Sequence, residues 1–272
     1  MENSNQLKSG RSRVATLLTA YGPSFILIAG LFALWQFCLP PSLSKVLPKP
    51  SVIISACFEK GDVLLDASKY TIIEATLGFL IGNAIAVIIA AWVIYSETAY
   101  CTIYPMAVVL KCIPSIGLTP FIVMIFGQGI SAKVVIVALT CFFPTLINMI
   151  QGFTSVDKQA LELMRTLDAP ENKIFWKLRV PNSLPHLFTS FKITATASVL
   201  GAIIGEWMGA WHGLGAIIVQ SMFNMQGDLL WACMLWSTVL SILAYLLIIV
   251  LEPICIPWHE TVKNTSINGV EE

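Results

Sequence analysis

Hydrophobic residues in this chain gather into long runs separated by short polar segments. A bilayer core about 30 Å thick needs roughly twenty residues of helix to cross it. Six runs reach that length: about Tyr21–Leu39, Thr71–Tyr95, Tyr104–Phe126, Lys133–Phe153, Phe191–Trp211 and Leu229–Ile256. The first is too long for a cleaved signal and has no small-residue cleavage site, so it reads as a retained span. Pro114 and Pro120 in the third run, and Pro144 in the fourth, predict kinked or broken helices, which membranes tolerate where neighbours satisfy the freed backbone. The segment between the first two runs is rich in turn-formers before about Ser51. Val52, Ile53, Ala56 and Phe58 then predict a short amphipathic helix at the membrane interface. The pattern therefore predicts an all-α membrane protein of about six transmembrane helices. Its polar tails are residues 1–20 and 257–272, and its membrane domain is 21–256, with a charged loop at about 154–190.

Composition supports that reading. Of 272 residues, 56% are apolar and 12% charged, with mean hydropathy +0.78. Soluble domains carry about 25% charged residues. A net charge of zero gives no basic field for nucleic acid. Lys and Arg are distributed unevenly. One side of the expected membrane holds Lys8, Arg11, Arg13, Lys158, Arg165, Lys173, Lys177, Arg179, Lys192 and Lys263, and the other holds Lys45, Lys49, Lys60, Lys69 and Lys133. The richer side is cytoplasmic by the positive-inside rule, which puts both termini and the charged loop in the cytoplasm. The seven cysteines form no C-x-x-C pair and read as buried, unpaired thiols. His186, His212 and His259 are scattered, so no metal site is expected. Neither a phosphate-binding G-x-x-x-x-G-K-[ST] loop nor a G-x-S-x-G elbow occurs, and no catalytic residue is expected.

The charged loop is the unusual feature. "VDKQALELMRTLDAPENKIFWKLRVPNSLPHLF" (Val156–Phe188) reads as two short helices. Asp157 is placed to cap the first, which carries Ala160, Leu161, Met164 and Leu167 on one face, with Glu162, Arg165 and Thr166 pointing elsewhere. In "DAPE", Asp168 is the expected cap of a second helix from about Ala169 to Arg179, with Pro170 in its first turn and Glu171 closing a capping box. Pro181 and Pro185 are expected to end that helix. Such a knob suits a groove on a partner protein, or equally a loop resting on lipid headgroups.

The spacing Glu162–x5–Asp168–x9–Leu178–x–Val180–Pro181 resembles the EAA loop of importer-type ABC transporter permeases. "LPKPSVI" (Leu47–Ile53), "LGFLIGNAIA" (Leu77–Ala86) and "KCIPSIGLTPFIVMIFGQGISAKVVIV" (Lys111–Val137) are similar to that family's nitrate/sulfonate/taurine branch. "GEWMGAWHGLG" (Gly205–Gly215) and "LEPICIPWHE" (Leu251–Glu260) resemble members that import thiamine-type pyrimidine precursors. The sequence departs from the family where Leu163 and Met164 replace Ala-Ala, where Asp168 replaces Gly, and where Glu74 and Lys111 stand in places often held by Arg. A left-handed turn at position 168 would suit Asp better than most residues.

The resemblance implies a non-enzymatic permease subunit whose coupling loop, including Phe175, Leu178 and Pro181, docks on a separate ABC ATPase. Two ATPase copies, a second permease copy forming a homodimer, and an extracytoplasmic solute-binding protein are implied. No cofactor is expected in this chain, since ATP and Mg would bind the partner. The cargo implied is a small organic nutrient, a thiamine-type pyrimidine precursor or an alkyl sulfonate, with nitrate behind them. The alternative is a secondary transporter driven by an ion gradient, although no inverted repeat is visible.

Gly78 and Gly82, and Gly201, Gly205, Gly209 and Gly213, recur every four residues and predict close helix packing. Glu206, within that second stripe, is expensive at membrane depth unless paired or hydrated. It reads either as a path or gate residue facing Lys111, or as a group reaching water at the outer interface. Lys111 and Asn148 are the other path candidates.

Overall fold

The computed structural model describes residues 26–38, 40 and 44–258. All regular structure among them is helical. The polar tails except Pro257 and Trp258, the start of the first expected span at Tyr21–Phe25 and its last residue, Leu39, lie outside the described residues. The helices are α1 (Ile26–Cys38), α2 (Pro50–Glu59), α3 (Gly61–Val93), α4 (Glu97–Lys111), α5 (Ser115–Phe126), α6 (Ile130–Thr154), α7 (Lys158–Thr166), α8 (Glu171–Ile174), α9 (Val180–Glu206), α10 (Leu214–Phe223) and α11 (Gly227–Cys255).

One compact unit comprises the described residues up to Gly61 together with Ser221–Ala232. Pro50 opens α2, where its fixed φ helps and its missing N–H costs nothing. The indole N–H groups of Trp35 and Trp231 donate to the carbonyls of Pro48 and Val46 at 3.1 and 3.0 Å, and the two rings meet edge-on. Lys60 and Asp228 pair at 3.0 Å. The expected interfacial helix is α2, but only Ile53 and Ala56 of its four apolar positions are buried; Val52 and Phe58 are exposed.

The second unit, Asp62–Gln220 and Cys233 onward, holds the long apolar helices. At 33 residues α3 extends about 50 Å, well past a bilayer core. It therefore starts some ten residues before the expected second span. The expected third span is two helices, α4 and α5, meeting at 96°. Pro114 causes the break. It has no N–H to continue α4, and its ring disfavours helical geometry at the preceding Ile113. Ser96 caps α4 by accepting the Ala99 N–H, and Lys111 ends it, a cation at the negative pole of the helix. Pro144 leaves α6 helical throughout.

The fifth span departs most from expectation. Glu171–Glu206 is one 36-residue apolar helix interrupted only by a widened, π-type turn at Phe175–Arg179. Pro181 and Pro185 do not stop it. Pro181 sits in the first turn of α9, just past the wide turn in which the Val180 N–H reaches back to Phe175 O. The extra residue in that turn takes up the place of the missing donor. At its other end α9 stops at Glu206 rather than Trp211.

Helix α6 is the centre of this unit. A Cβ on Gly78 would overlap Val137, and one on Gly82 would overlap the Ala138 backbone, so α3 lies directly against α6. Gly201 and Gly205 bring α9 close as well, though less tightly: a Cβ there would lie 3.3–3.4 Å from Thr140, Val137 or Lys133. Ala75, Val137, Cys141, Val199, Ala202 and Ile203 fill the contact. Toward the charged loop, Ala86, Ala90, Leu146, Ile150 and Phe153 continue the core and enclose Phe175. Gly209 and Gly213 fall outside the packing stripe. They have φ of 97° and 112° and belong to the turn after α9, where residues with side chains are strained. Of the cysteines, Cys141 and Cys233 are buried, while Cys38, Cys101, Cys112 and Cys255 are exposed on apolar helices rather than sequestered as the sequence suggested.

Candidate functional site: an elbow at one end, a buried charge cluster at the other

The elbow is built from α7, α8 and the wide turn. The Asp157 carboxylate accepts the Gln159 N–H and starts α7. Asp168 has φ 53°, the left-handed turn that the resemblance raised. The Ala169 N–H returns to Met164 O and the Asp168 N–H to Arg165 O, so Asp168 closes α7 instead of capping the next helix. The expected capping box is therefore absent. Pro170 holds the cap position of α8 without a side-chain bond, and Glu171 lies 3.6 Å from Arg165.

Ala160, Leu161 and Met164 are half-buried on the inner side of α7, and Phe175 is buried against Phe153 and Tyr95. Leu178 and Pro181 are half-buried, and Glu162 is exposed. Leu167, expected with the inner face, is 69% exposed; with Leu163 at 61% and Trp176 at 64% it presents apolar side chains outward. At the elbow's neck, Arg179 donates to Phe153 O at 3.2 Å. Asn182 donates to Gly152 O at 3.3 Å and to Ser155 Oγ at 3.0 Å. A Cβ on Gly152 would come within 2.9 Å of His186 Cβ, so α6 and α9 are clamped together where the elbow leaves them. Movement of the elbow must carry both helices.

Roughly 30 Å away along α6 lies a cluster of buried charge. Lys133, in the first turn of α6, donates to Glu74 Oε1 of α3 at 2.8 Å, with side chains 10% and 2% exposed. Glu74 Oε2 has no donor among the described residues, and the Glu74 carboxyl faces that of Glu206. Glu206, 1% exposed, accepts from Thr71 Oγ1 at 2.7 Å and from the Gly215 N–H at 2.6 Å. Thr71 Oγ1 in turn accepts the Leu214 N–H at 3.0 Å. A carboxylate thus sits at the positive end of α10, with two orphan backbone donors satisfied by α3 and α9. The glycines of "GEWMGAWHGLG" make the fit possible, since a Cβ at Gly213 would overlap the Glu206 carboxyl and one at Gly215 would press on Ile203 O.

Glu206 consequently does not face Lys111, and its carboxyl is held by Thr71 and Gly215 rather than extended to the surface. Lys111 is exposed at the C-terminus of α4, where helix carbonyls favour an ammonium. Asn148 is half-buried midway along α6, and its neighbour Gln151 donates to Tyr104 Oη at 2.9 Å. Sequence reasoning missed the Glu74–Lys133 pair and Thr71. The available signal was two opposite charges inside apolar runs, each costly alone. It also missed Asn83, buried on α3 and accepting from Thr145 of α6 and Thr194 of α9.

Comparison with known proteins agrees with this architecture. Residues 78–255 match the family described as binding-protein-dependent transport system inner membrane component. The formylaminopyrimidine transport permease protein ThiX of Halalkalibacterium halodurans is 32% identical over 79% of this chain and 86% of its own length. The taurine transport system permease protein TauC of Escherichia coli is 24% identical over 58% of each chain. A solved structure of the MetNI methionine ABC transporter in an inward-facing conformation superposes with a TM-score of 0.56 at 18% identity, covering 79% of this chain and 98% of its own, a likeness of fold. With the matching region covering most of the chain and all of its long helices after the start of α3, the protein belongs to the inner-membrane permeases of binding-protein-dependent ABC transport systems.

Proposed function

We infer that this chain provides the membrane path of an ATP-driven importer and that the α7–α8 elbow is the handle by which a separate ATPase moves it. One observation carries the reading: Leu163, Leu167 and Trp176 stand exposed on an elbow whose base is clamped to α6 and α9. Three large apolar side chains held outward on a rigid mount suit a protein groove, where their burial stabilises the complex by about 1.5–3 kcal/mol each. The family works with an ATPase subunit and a solute-binding protein, and this chain hydrolyses nothing itself. ATP and Mg belong to the ATPase, of which two copies would act on a homodimer of this permease. The clamp at Gly152–Asn182 gives the mechanism. Closure of the ATPase pair shifts each elbow, the shift moves α6 and α9 as one body, and the far ends of those helices change access to the path. Asn148, half-buried in the middle of α6, is the path candidate best placed for contact with a polar solute.

The relative at 32% identity is named for formylaminopyrimidine, which supports a pyrimidine of that kind as cargo; the taurine permease supports a small sulfonate as the second reading. Nitrate, a lone inorganic anion, has no comparable support. The test is co-purification of tagged permease with its ATPase. Leu163→Asp/Leu167→Asp/Trp176→Asp should abolish it while the permease still inserts and purifies as a folded membrane protein. Retention of the ATPase at wild-type yield would refute the docking assignment. Uptake by the intact complex, with formylaminopyrimidine and taurine in separate arms, decides the cargo.

A further inference from the structure

The short helix α10 is an unusual element. It follows a turn with two left-handed glycines, Gly209 and Gly213, and is followed by a left-handed residue, Met225. Its first turn is held by side chains from two different long helices, Thr71 of α3 and Glu206 of α9. Leu214 is fully buried, and Ile218 packs on the α3–α6–α9 core. On either side of the exposed Trp211 lie cavities of about 360 and 370 Å³. The helix thus has a small polar attachment, pliable joints and room beside it. It also stands at the end of α6 and α9 remote from the elbow, where access opposite to the ATPase side must open.

We propose that Glu206 and Thr71 are positioning residues of the transport cycle, forming a latch that holds α10 closed over the far end of α6 and α9 and lets go when those helices move against α3. The geometry makes the latch two-state. Thr71 Oγ1 donates to Glu206 Oε1 and accepts the Leu214 N–H, so a single hydroxyl bridges α3, α9 and α10. Displacement of α9 relative to α3 by more than a hydrogen-bond length breaks the Thr71–Glu206 bond, after which α10 can keep its bond to only one of the two helices and at least one latch amide is freed. A packed interface of this kind jumps between arrangements rather than stretching. Lys133, held by Glu74 in the first turn of α6, stands beside the same carboxyl and ties the latch to the other helix clamped at the elbow. The proposal rests on the family assignment and is independent of the cargo.

Hydrogen exchange of the assembled complex tests it directly, because the Leu214 and Gly215 amides are the latch donors. In the resting complex peptides covering residues 213–216 should be protected. Trapping with ATP, vanadate and binding protein should speed their exchange about tenfold or more, while α6 peptides at residues 136–150 stay protected. Thr71→Val, which keeps shape and removes the hydroxyl, should give the fast exchange already at rest and raise ATP hydrolysis without binding protein several-fold; Thr71→Ser should restore both. Equal protection of residues 213–216 in the resting and trapped states would overturn the latch even if the variants lose transport, since a purely structural bond would not respond to the cycle. If Glu206 variants fail to assemble, the wild-type comparison and the Thr71 pair still decide the matter. Loss of the docking reading would show separately, as absence of ATPase from the purified complex.

Discussion

Lys133→Met would expose the cost of buried charge in this protein. The Lys133 ammonium lies 2.8 Å from Glu74 Oε1, the two side chains are 10% and 2% exposed, and Glu206 is close by and 1% exposed. Glu74 Oε2 already lacks a donor among the described residues. Methionine keeps most of the lysine stem's volume, so the packing against Gly205 is largely preserved, and the change isolates the charge. Removing one member of a buried pair leaves an uncompensated ion and costs about 3–5 kcal/mol. At about 1.4 kcal/mol per factor of ten, that lowers the folded-to-unfolded ratio by roughly two to three and a half orders of magnitude. Replacing both members costs much less, because two well-packed neutral groups need no counter-charge. Glu74→Gln/Lys133→Met should therefore recover more than half of the loss. The assay is reversible unfolding of purified permease in mixed detergent micelles, run as a double-mutant cycle over wild type, the two single variants and the double. A coupling energy above about 1.5 kcal/mol is expected, within the range for residues in direct contact. The reasoning fails if Lys133→Met is as stable as wild type, or if the double variant is as unstable as the worse single one.

Other expectations follow from particular contacts. Gly82→Val should prevent stable folding, because its side chain would meet the Ala138 backbone; loss of the monodisperse permease peak in size-exclusion chromatography reads this out, and Gly30→Ala, with open space around its Cβ, is the control. Asp168→Gly should raise the melting temperature slightly, by relief of about 1 kcal/mol at φ 53°, whereas Asp168→Val should lower it. Asn182→Ala should loosen the neck, leaving ATPase bound and active but lowering uptake per ATP hydrolysed, as measured in proteoliposomes.

What the sequence could and could not reveal divides along physical lines. Long apolar runs determine their own state, because an unsatisfied backbone in hydrocarbon is prohibitive, so helices at α3, α6, α9 and α11 were legible, with ends off by a few residues at α6 and α11 and by ten or more at the starts of α3 and α9. Prolines were harder. Pro114 breaks its span to 96° while Pro144 leaves α6 continuous, although both lie in apolar runs. The local rule that proline disfavours helix at the residue before it applies to both, and only the folded chain shows which one yields. The left-handed turn at Asp168 could be anticipated only because the resemblance puts Gly there. Pro181 misled, since a stop signal in isolation became part of a 36-residue helix once a π-type turn made room for it.

Glu206 shows the deeper limit. Its neighbours in sequence suggested a carboxylate in a glycine stripe facing Lys111, although Lys133 is the lysine that the charge distribution puts on the same side of the membrane. Its partners are a threonine 135 residues earlier and the N–H of Gly215, nine residues later. A threonine hydroxyl in an apolar helix carries no sequence signal, because it bonds to its own backbone as readily as across helices, and Thr71 does both. The backbone donor is invisible in any sequence. Yet the glycines at 213 and 215 were the trace of it: they are there because the carboxyl occupies the space where their side chains would be. A stripe that reads as helix packing at Gly201 and Gly205 becomes, past Glu206, the mould of a buried charge, and the change falls where α9 ends and the structure takes hold of α10.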